Sequence, residues 1–509
     1  MGKEDNNPHE SVVSGKENDS IKDETRLRAV QDVALGEMLA VESTPALEKR
    51  VVLKLDMIML PLMGVVYMMQ YMDKLALSQA TLFNLRQDLN LQGQQYSWTS
   101  AIFYFGYLVW SPISSYLAVR LPIGKYLTVA VMIWGVIMMS HAATKNFTTL
   151  MVARFFLGVG EAAIAPGFSL IVGMFYKREE QPARQSAWFL GNSISVTIGG
   201  LVAWGIGNIS NSHVKSWQLL FLVLGAITSG LGILLAVLLP DSPRKAIFLT
   251  ETERSVAVQR TLKNKTGILD ENEFRWYQVR MALLDPQIWL LVLYQFCSNL
   301  CNGGITSFSA ILVNGFGFPP LESLLLQMPS GAAQLVFLPI SAAVARFVPN
   351  MRITLMMINT SISMMGMILV WKLDEDNKSG RLVGLSFASV FGVNFPLALS
   401  LISSNIAGFT KRSVCSSMLF IAYCTGNIVA PQFFLASEEP DYPTGLKGAI
   451  SGLALAVFFL LCLLVYYIWE NKRRDAKYGP PSQLTEEEER MQGLLNKTDR
   501  ELESFRYVI

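Results

Sequence analysis

Charge is what this sequence is short of. Only 16% of its 509 residues are charged while 51% are hydrophobic, and mean hydropathy is +0.35. Soluble domains carry roughly a quarter charged residues, so the deficit excludes an ordinary water-solvated globule and points to lipid as solvent. Histidine is scarcer still: His9, His141 and His213 are the only three. None sits mid-span with a nucleophile, so neither a catalytic constellation nor an enzyme is expected. Cys297, Cys301, Cys415, Cys424 and Cys462 all fall in apolar stretches and read as small packing hydrophobes. Cys297 and Cys301 share a helical face, but no nearby Cys or His completes four ligands, which excludes a zinc site. No metal or cofactor is implied. The net charge of +2, without a clustered basic patch, gives no nucleic-acid partner. A cleavable leader is not expected: residues 1–52 are polar and charge-rich, with no short apolar core or cleavage site. Met1 to about Thr25 reads as disordered, and 480–509 as a solvated acidic-basic tail.

Long apolar runs are what the sequence has. A spanning helix needs ~20 mostly apolar residues. Qualifying segments run 55–77, 96–118, 126–144, 149–174, 186–208, 217–239, 287–311, 323–345, 352–371, 382–403, 413–436 and 447–469. The reading is an all-α membrane protein of twelve transmembrane helices in two six-helix halves. Its parts are an N-terminal tail (1–52), a first half (53–239), a central loop (240–285), a second half (286–470) and a C-terminal tail (471–509). Such a plan places a solute site at the midplane between halves. In the central loop, Thr250 with Glu253 three residues on is a capping box that starts a helix to about Lys263. It reads as an interfacial helix bracing the two halves.

Orientation follows from Lys and Arg near the span ends. Lys49, Arg50 and Lys54 precede the first span, and Lys472, Arg473 and Arg474 follow the last. Lys177, Arg178, Arg184, Lys411 and Arg412 lie on that same side, with eight more in 240–285. Both termini are therefore expected in the cytoplasm. An internal repeat supports two related halves: Lys177-Arg178 then Gly191-Asn192 before and in the fifth span, Lys411-Arg412 then Gly426-Asn427 at the eleventh.

An ionisable group inside a bilayer is expensive and marks function by default. Asp73 and Lys74 lie in the first span and Glu161 in the middle of the fourth, with Arg154 seven residues before it on the same face. Tyr67, Tyr71 and Lys74 follow an i, i+4, i+7 spacing with Gln70 beside them, so one face of the first helix is polar. Lys74 either lines a cavity or snorkels outward, and Glu161 is either a coupling acid or a structural partner of Arg154. The second half carries neutral amides instead. Gln295, Asn299 and Asn302 repeat along the seventh span, Gln327 and Gln334 along the eighth, and Asn394 and Asn427 lie in the tenth and eleventh. They read either as interhelical glue or as a half-cavity that hydrogen-bonds solute. Gly158, Ala162, Gly199, Gly200 and Gly205 are expected to allow close helix approach, and Pro166, Pro329 and Pro396 to kink their helices.

Several stretches carry a family resemblance: Tyr71-Met72-Asp73-Lys74, GQQYSWTSAIFYFGYL (93–108), LPIGKYL (121–127), ARFFLGVGEAAIAPGF (153–168), PDSPRKAIFLT (240–250), IAGFTKR (406–412) and GNIVAPQ (426–432). With them the chain resembles the major facilitator superfamily and, within it, the anion:cation symporters, most closely the fungal allantoate permease branch. The resemblance covers about 50–475. It implies the major facilitator fold and proton-coupled uptake of organic anions or vitamin-like solutes. In relatives the first-span motif is Tyr-x-Asp-Arg, whose Arg grips a carboxylate. Here Lys74 stands at that position, a point charge in place of a bidentate fork. Glu161 aligns with the acid implicated in proton coupling. The superfamily's loop signature survives only as Arg120 and Gly124-Lys125, with Val119 at its Asp position.

The resulting expectation is a monomeric, proton-driven symporter of a small organic anion at the plasma membrane, with the proton gradient as its energy source. Lys74, Tyr71, Gln295, Asn299, Asn302, Gln327, Asn394 and Asn427 are its substrate-binding candidates, and Glu161 and Asp73 its proton-coupling candidates. Two alternatives are an exporter of a fungal metabolite on the same fold and a non-transporting nutrient sensor, the latter disfavoured by a tail of only 39 residues. Five sequons test the orientation. Glycan is expected only at the external sites Asn146, Asn208 and Asn377. Mass spectrometry that finds glycan at Asn264 or Asn496 would invert the topology.

Overall fold

The computed structural model describes residues 44–177, 180–209, 213–262, 274–479 and 497–509, and among these every regular element is helical. Twelve helices are long and apolar enough to cross a membrane: α1 Pro45–Thr81, α2 Gln95–Arg120, α3 Ile123–Ala143, α4 Phe147–Phe175, α5 Gln181–Gly207, α6 Ser216–Leu238, α7 Pro286–Gly315, α8 Pro320–Phe347, α9 Arg352–Lys372, α10 Lys378–Asn405, α11 Phe409–Phe433 and α12 Pro443–Tyr478. Each expected segment falls on one of them, although 126–144, 186–208, 217–239 and 413–436 run one to three residues past the helix end. Twelve crossings put residues 45 and 478 on one side of the bundle, the terminus side, opposite the distal side.

Local chemistry sets the ends and breaks. Thr44 caps α1 ahead of Pro45 in its first turn, and Asn146 caps α4 with a reciprocal bond to Thr149. Helix α4 is interrupted at residues 162–163, between Phe147–Glu161 and Ile164–Phe175. Pro166 causes this, because it has no N–H for the Ala162 carbonyl and its ring crowds that carbonyl. The same device recurs in α8, broken at 326–327 ahead of Pro329, and in α10, broken over 389–393 ahead of Pro396. Side chains from neighbouring helices re-bond the loosened backbone. Gln70 of α1 donates to the Glu161 carbonyl at 3.3 Å, and Gln334 of α8 donates to the Ser389 carbonyl at 3.1 Å.

The halves pack alike. In the first, α1 packs on α5, α2 on α4 and α3 on α6; in the second, α7 packs on α11, α8 on α10 and α9 on α12. Between halves, α2 meets α11 and α5 meets α8, contacts that exchange under a two-fold relation. The repeated Gly-Asn pairs take part in this. A Cβ on Gly191 would strike the Gly64 carbonyl of α1, and one on Gly426 would lie 2.8 Å from the Phe296 carbonyl of α7. Gly158 likewise abuts the Phe103 carbonyl of α2, and Gly200 the Leu324 carbonyl of α8. Gly205 faces open space, so it does not serve a close crossing as expected.

Two expectations are corrected at the terminus side. Among the described residues the central loop forms two separate helices rather than one brace across both halves. Helix Glu251–Leu262, opened by the expected Thr250/Glu253 box, is clamped to the first half through Lys54–Glu253 (2.7 Å) and Arg260–Glu180 (2.6 Å). A second helix, Trp276–Leu283, packs on α11, where Gln278 accepts from the Thr410 and Lys411 amides. Nor is the last stretch solvated. Residues 497–509 fold back onto the second half, with Asp499 buried and Tyr507 stacked on Tyr467 at 4.9 Å. The Tyr507 and Val508 amides find side-chain partners there, and Phe505 and Ile509 cover apolar surface. Asn146, Asn208 and Asn377 sit at distal ends of spans, whereas Asn264, Asn496, residues 1–43 and 480–496 lie outside the described residues.

The two glycine environments make opposite predictions. Gly158→Val should cost about 1–3 kcal/mol by forcing α2 and α4 apart. Gly205→Ala should be neutral or stabilise by up to about 1 kcal/mol. Thermal unfolding of detergent-purified protein measures both, and equal shifts would show that the α2–α4 crossing is not tight.

Candidate functional site

The site begins with the break in α4. Glu161 is its last residue before the interruption, fully buried about halfway along the span. From α1, Lys74 reaches inward, and its Nζ lies 3.3 Å from Glu161 Oε2, with side-chain exposures of 10% and 0%. Lys74 therefore does not snorkel. Its ammonium also lies over the Phe103 and Tyr107 rings of α2, at 5.5 and 5.8 Å, within cation–π range. Neither Glu161 oxygen has an aligned hydrogen-bond partner, so the pair is held by charge and proximity. A buried ion pair lacking supporting hydrogen bonds barely repays the loss of water around its two charges.

Arg154 does not lock Glu161. Its Nε donates to the Thr99 carbonyl at 3.2 Å, and its guanidinium lies 5.3 Å from the Phe103 ring centre. Asp73 is engaged within the first half rather than paired with Lys74. Its Oδ2 accepts from Trp134 Nε1 of α3 at 2.8 Å, inside the first half, and its Oδ1 has no partner. Trp134 was not legible as a site residue, being one aromatic in a strongly apolar helix.

Across the interface the amides divide into two groups. Asn302 donates to Asn427 Oδ1 at 2.8 Å, Asn427 donates to Asn299 Oδ1 at 3.0 Å, and Asn299 donates to the Gln295 carbonyl at 2.7 Å. This ladder joins α7 to α11. Tyr71 of α1 faces Thr306, whose hydroxyl donates to the Asn302 carbonyl, so the polar face of α1 meets the ladder. Gln327 and Asn394 are not part of it. Gln327 accepts from Ser309 of α7, and Asn394 is bonded to α9 through Asn359, Thr360 and the Met356 carbonyl and meets Tyr294 of α7. Both act as interhelical ties within the second half.

Aromatic pairs complete the walls where the halves meet. Tyr104 meets Tyr423 (5.9 Å between centroids), Tyr107 meets Phe420 (5.3 Å), and Phe189 stacks on Phe395 (4.7 Å). By helix position Phe189–Phe395 lies nearest the terminus side and forms a floor. The distal side is sealed by polar contacts between halves: the Ala310 amide donates to Ser78 Oγ at 3.1 Å, Tyr96 donates to the Ser307 carbonyl at 2.5 Å, and Arg86 pairs with Glu439 at 2.9 Å. A charged pair on one wall, amides on the other and aromatic rings between them can bind a small polar solute and exchange a proton.

Comparison with known proteins decides the family. The pattern defining the Major Facilitator Superfamily matches residues 62–431. The chain belongs to that superfamily. Among curated proteins it is 35% identical over 479 residues to an uncharacterized transporter of Schizosaccharomyces pombe, covering 94% of this chain and 91% of that one. It is 34% identical over 480 residues to the allantoate permease of Saccharomyces cerevisiae (92% and 88% covered). To a thiamine pathway transporter of the same yeast it is 31% identical over 494 residues (96% and 91%). Two solved structures share the fold at low identity. One is a bacterial homolog of the human lysosomal transporter Spinster, inward-facing and unoccupied, with TM-score 0.56, 13% identity, and 84% of this chain and 97% of that chain covered. The other is the Escherichia coli xylose transporter XylE in a partially occluded inward-open conformation, with TM-score 0.59, 12% identity, and 79% and 97% covered. This protein is thus a multi-pass membrane transporter of the superfamily.

The Trp134–Asp73 bond gives a prediction. Trp134→Phe leaves a buried carboxyl with no donor and should cost about 1–3 kcal/mol, whereas Asp73→Asn keeps an acceptor for the indole and should cost less. Thermal unfolding of the two variants in one detergent checks the order.

Proposed function

We propose that this transporter is a proton-coupled symporter of a small organic anion, oriented with both termini in the cytoplasm of a plasma membrane. The observation that carries the reading is the buried Lys74–Glu161 pair, without hydrogen-bond support, on the face of α1 that meets the amide ladder. In the solute-free state Glu161 neutralises Lys74. A carboxyl away from water favours its protonated form once its cation is drawn off. Proton on Glu161 and anion on Lys74 are then mutually required. A proton alone leaves Lys74 as an uncompensated cation, and an anion alone leaves two negative charges around one ammonium. With both bound the cavity has the same net charge as when empty, so occluding it costs no extra desolvation. The Asn299–Asn302–Asn427 ladder supplies donors and acceptors to neutral parts of the solute. Asp73, held by Trp134, serves as a structural support for α1 rather than as the coupling acid.

The solute class follows from the same residues. One ammonium selects one acidic group without demanding a planar fork, and the amide and aromatic walls suit a small, flat, amide-bearing body. The relative named allantoate permease supports starting with ureido acids. With the distal side outside, the distal contacts close the outward path and the stacked Phe189 and Phe395 rings close the inward one.

Proteoliposomes with an imposed proton gradient test the proposal, using allantoate as first probe among ureides, vitamins and small carboxylates. Glu161→Gln should abolish gradient-driven accumulation while anion exchange stays measurable, because the amide imitates a permanently protonated acid. Lys74→Ala should weaken binding of the anion, and Lys74→Arg should be milder. If Glu161→Gln retains wild-type pH dependence, Glu161 is not the coupling acid.

A further inference from the structure

The polar network under residues 497–509 is built differently from an ordinary surface contact. Lys411, at the start of α11, is fully buried and lies 2.6 Å from Asp285 at the start of α7 and 2.6 Å from Asp499. Arg500 reaches the other oxygen of Asp285 at 3.1 Å. Gln287 donates to both aspartates, and Tyr507 donates to Asp499 Oδ2 at 2.8 Å. Beyond this knot, Asn405 of α10 and Asn471 of α12 each make a two-way bond with the backbone of Val508 and Tyr507, and the Arg352 amide of α9 donates to the Ile509 carbonyl at 3.2 Å. All these partners belong to the second half.

Two features separate this from a fixed part of the fold. The segment binds as an added strip of chain whose backbone polar groups are met by amide side chains, the way a groove receives an extended peptide. The charges it brings to the knot, Asp499 and Arg500, also cancel. Lifting it away leaves Lys411 paired with Asp285, so undocking strands no net buried charge. Removing one partner of an isolated buried pair would strand one, at large cost.

We propose that the terminus-side crevice between α7, α10, α11 and α12 is a peptide-docking site that residues 497–509 occupy reversibly, and that occupancy ties the ends of α10 and α11 to the rest of their half. Docked, the second half rocks as one body. Undocked, the ends of α10 and α11 are free to shift, and these two helices supply Phe395, Phe420 and Tyr423 to the interface with the first half. The segment thereby regulates turnover without touching solute.

Hydrogen exchange on the full-length protein tests this, and needs no transported solute, so it stands or falls apart from the symport reading. In wild type, amides of 505–509 should exchange by local opening, faster than core amides of α12. Asp499→Asn, which removes one charged bond and keeps the side-chain shape, should speed their exchange about 10- to 100-fold and leave α12 unchanged. Tyr507→Phe, which keeps the ring stack, should give a smaller increase and guards against misfolding of the first variant. Where the wild-type protein exchanges allantoate in proteoliposomes, Asp499→Asn should lower the maximal rate at unchanged KM. Unaltered exchange in both variants, or segment and α12 amides that open only together, would overturn the proposal.

Discussion

A bilayer offers no water to polar groups, so every polar atom this chain carries into the membrane must find a partner within the protein. The architecture can be derived from that constraint. Pro166 and Pro396 loosen backbone at the midplane, and Gln70 and Gln334 exist on neighbouring helices to bond what is loosened. Asp73 is carried only because Trp134 meets it, and Asn394 because α9 bonds it. Against this background the Lys74–Glu161 pair stands apart. Its carboxyl oxygens lack aligned donors, and it occupies the place where the two halves part. Other buried polar atoms of the spans also lack partners, Asp73 Oδ1 and Arg154 Nη1 among them, so it is the coincidence of an unsupported ion pair with the seam between the halves that marks where another molecule can complete the arrangement.

The two halves divide the work. The first holds the charged groups of the site and is braced by its own linker helix, Glu251–Leu262. The second holds the amide ladder and is braced by Trp276–Leu283 together with residues 497–509. Each half is thus secured on the terminus side by contacts that do not cross to the other. That is the arrangement required if the halves rock as bodies around a fixed site.

Much of this was legible in the sequence because its physics is local. Spans announce themselves by hydropathy, proline breaks by the missing N–H, and the Thr250/Glu253 cap by its spacing. Lys74 and Glu161 could be picked out because charge in a membrane span is rare, and Arg154 was open as a rival partner because it shares the face of Glu161. What could not be read depends on rotation and distance. Asp73 adjoins Lys74 in sequence but lies about 100° around the helix, and that angle sends it to Trp134. Gln327 and Asn394 have the same chemistry as Asn302, and only packing decides which amides are used up within a half. The docked segment was missed for a related reason. Its composition is that of a solvated tail, and its burial depends on Lys411 and Asp285, over 80 and 200 residues away in the chain.

The stacked rings of Phe189 and Phe395 bear on speed. A pair of this kind is worth about 0.5–1.5 kcal/mol beyond the area it covers. Since ~1.4 kcal/mol is a factor of ten in rate, the stacking itself slows a passing solute by roughly two- to tenfold, over and above the cost of exposing the rings. A floor so easily opened works as a valve flap, blocking the leak of water and ions when nothing presses on it. The toll on turnover falls instead at the distal seal, where the Arg86–Glu439 pair and two backbone-directed hydrogen bonds must all be broken before the site can face the other way.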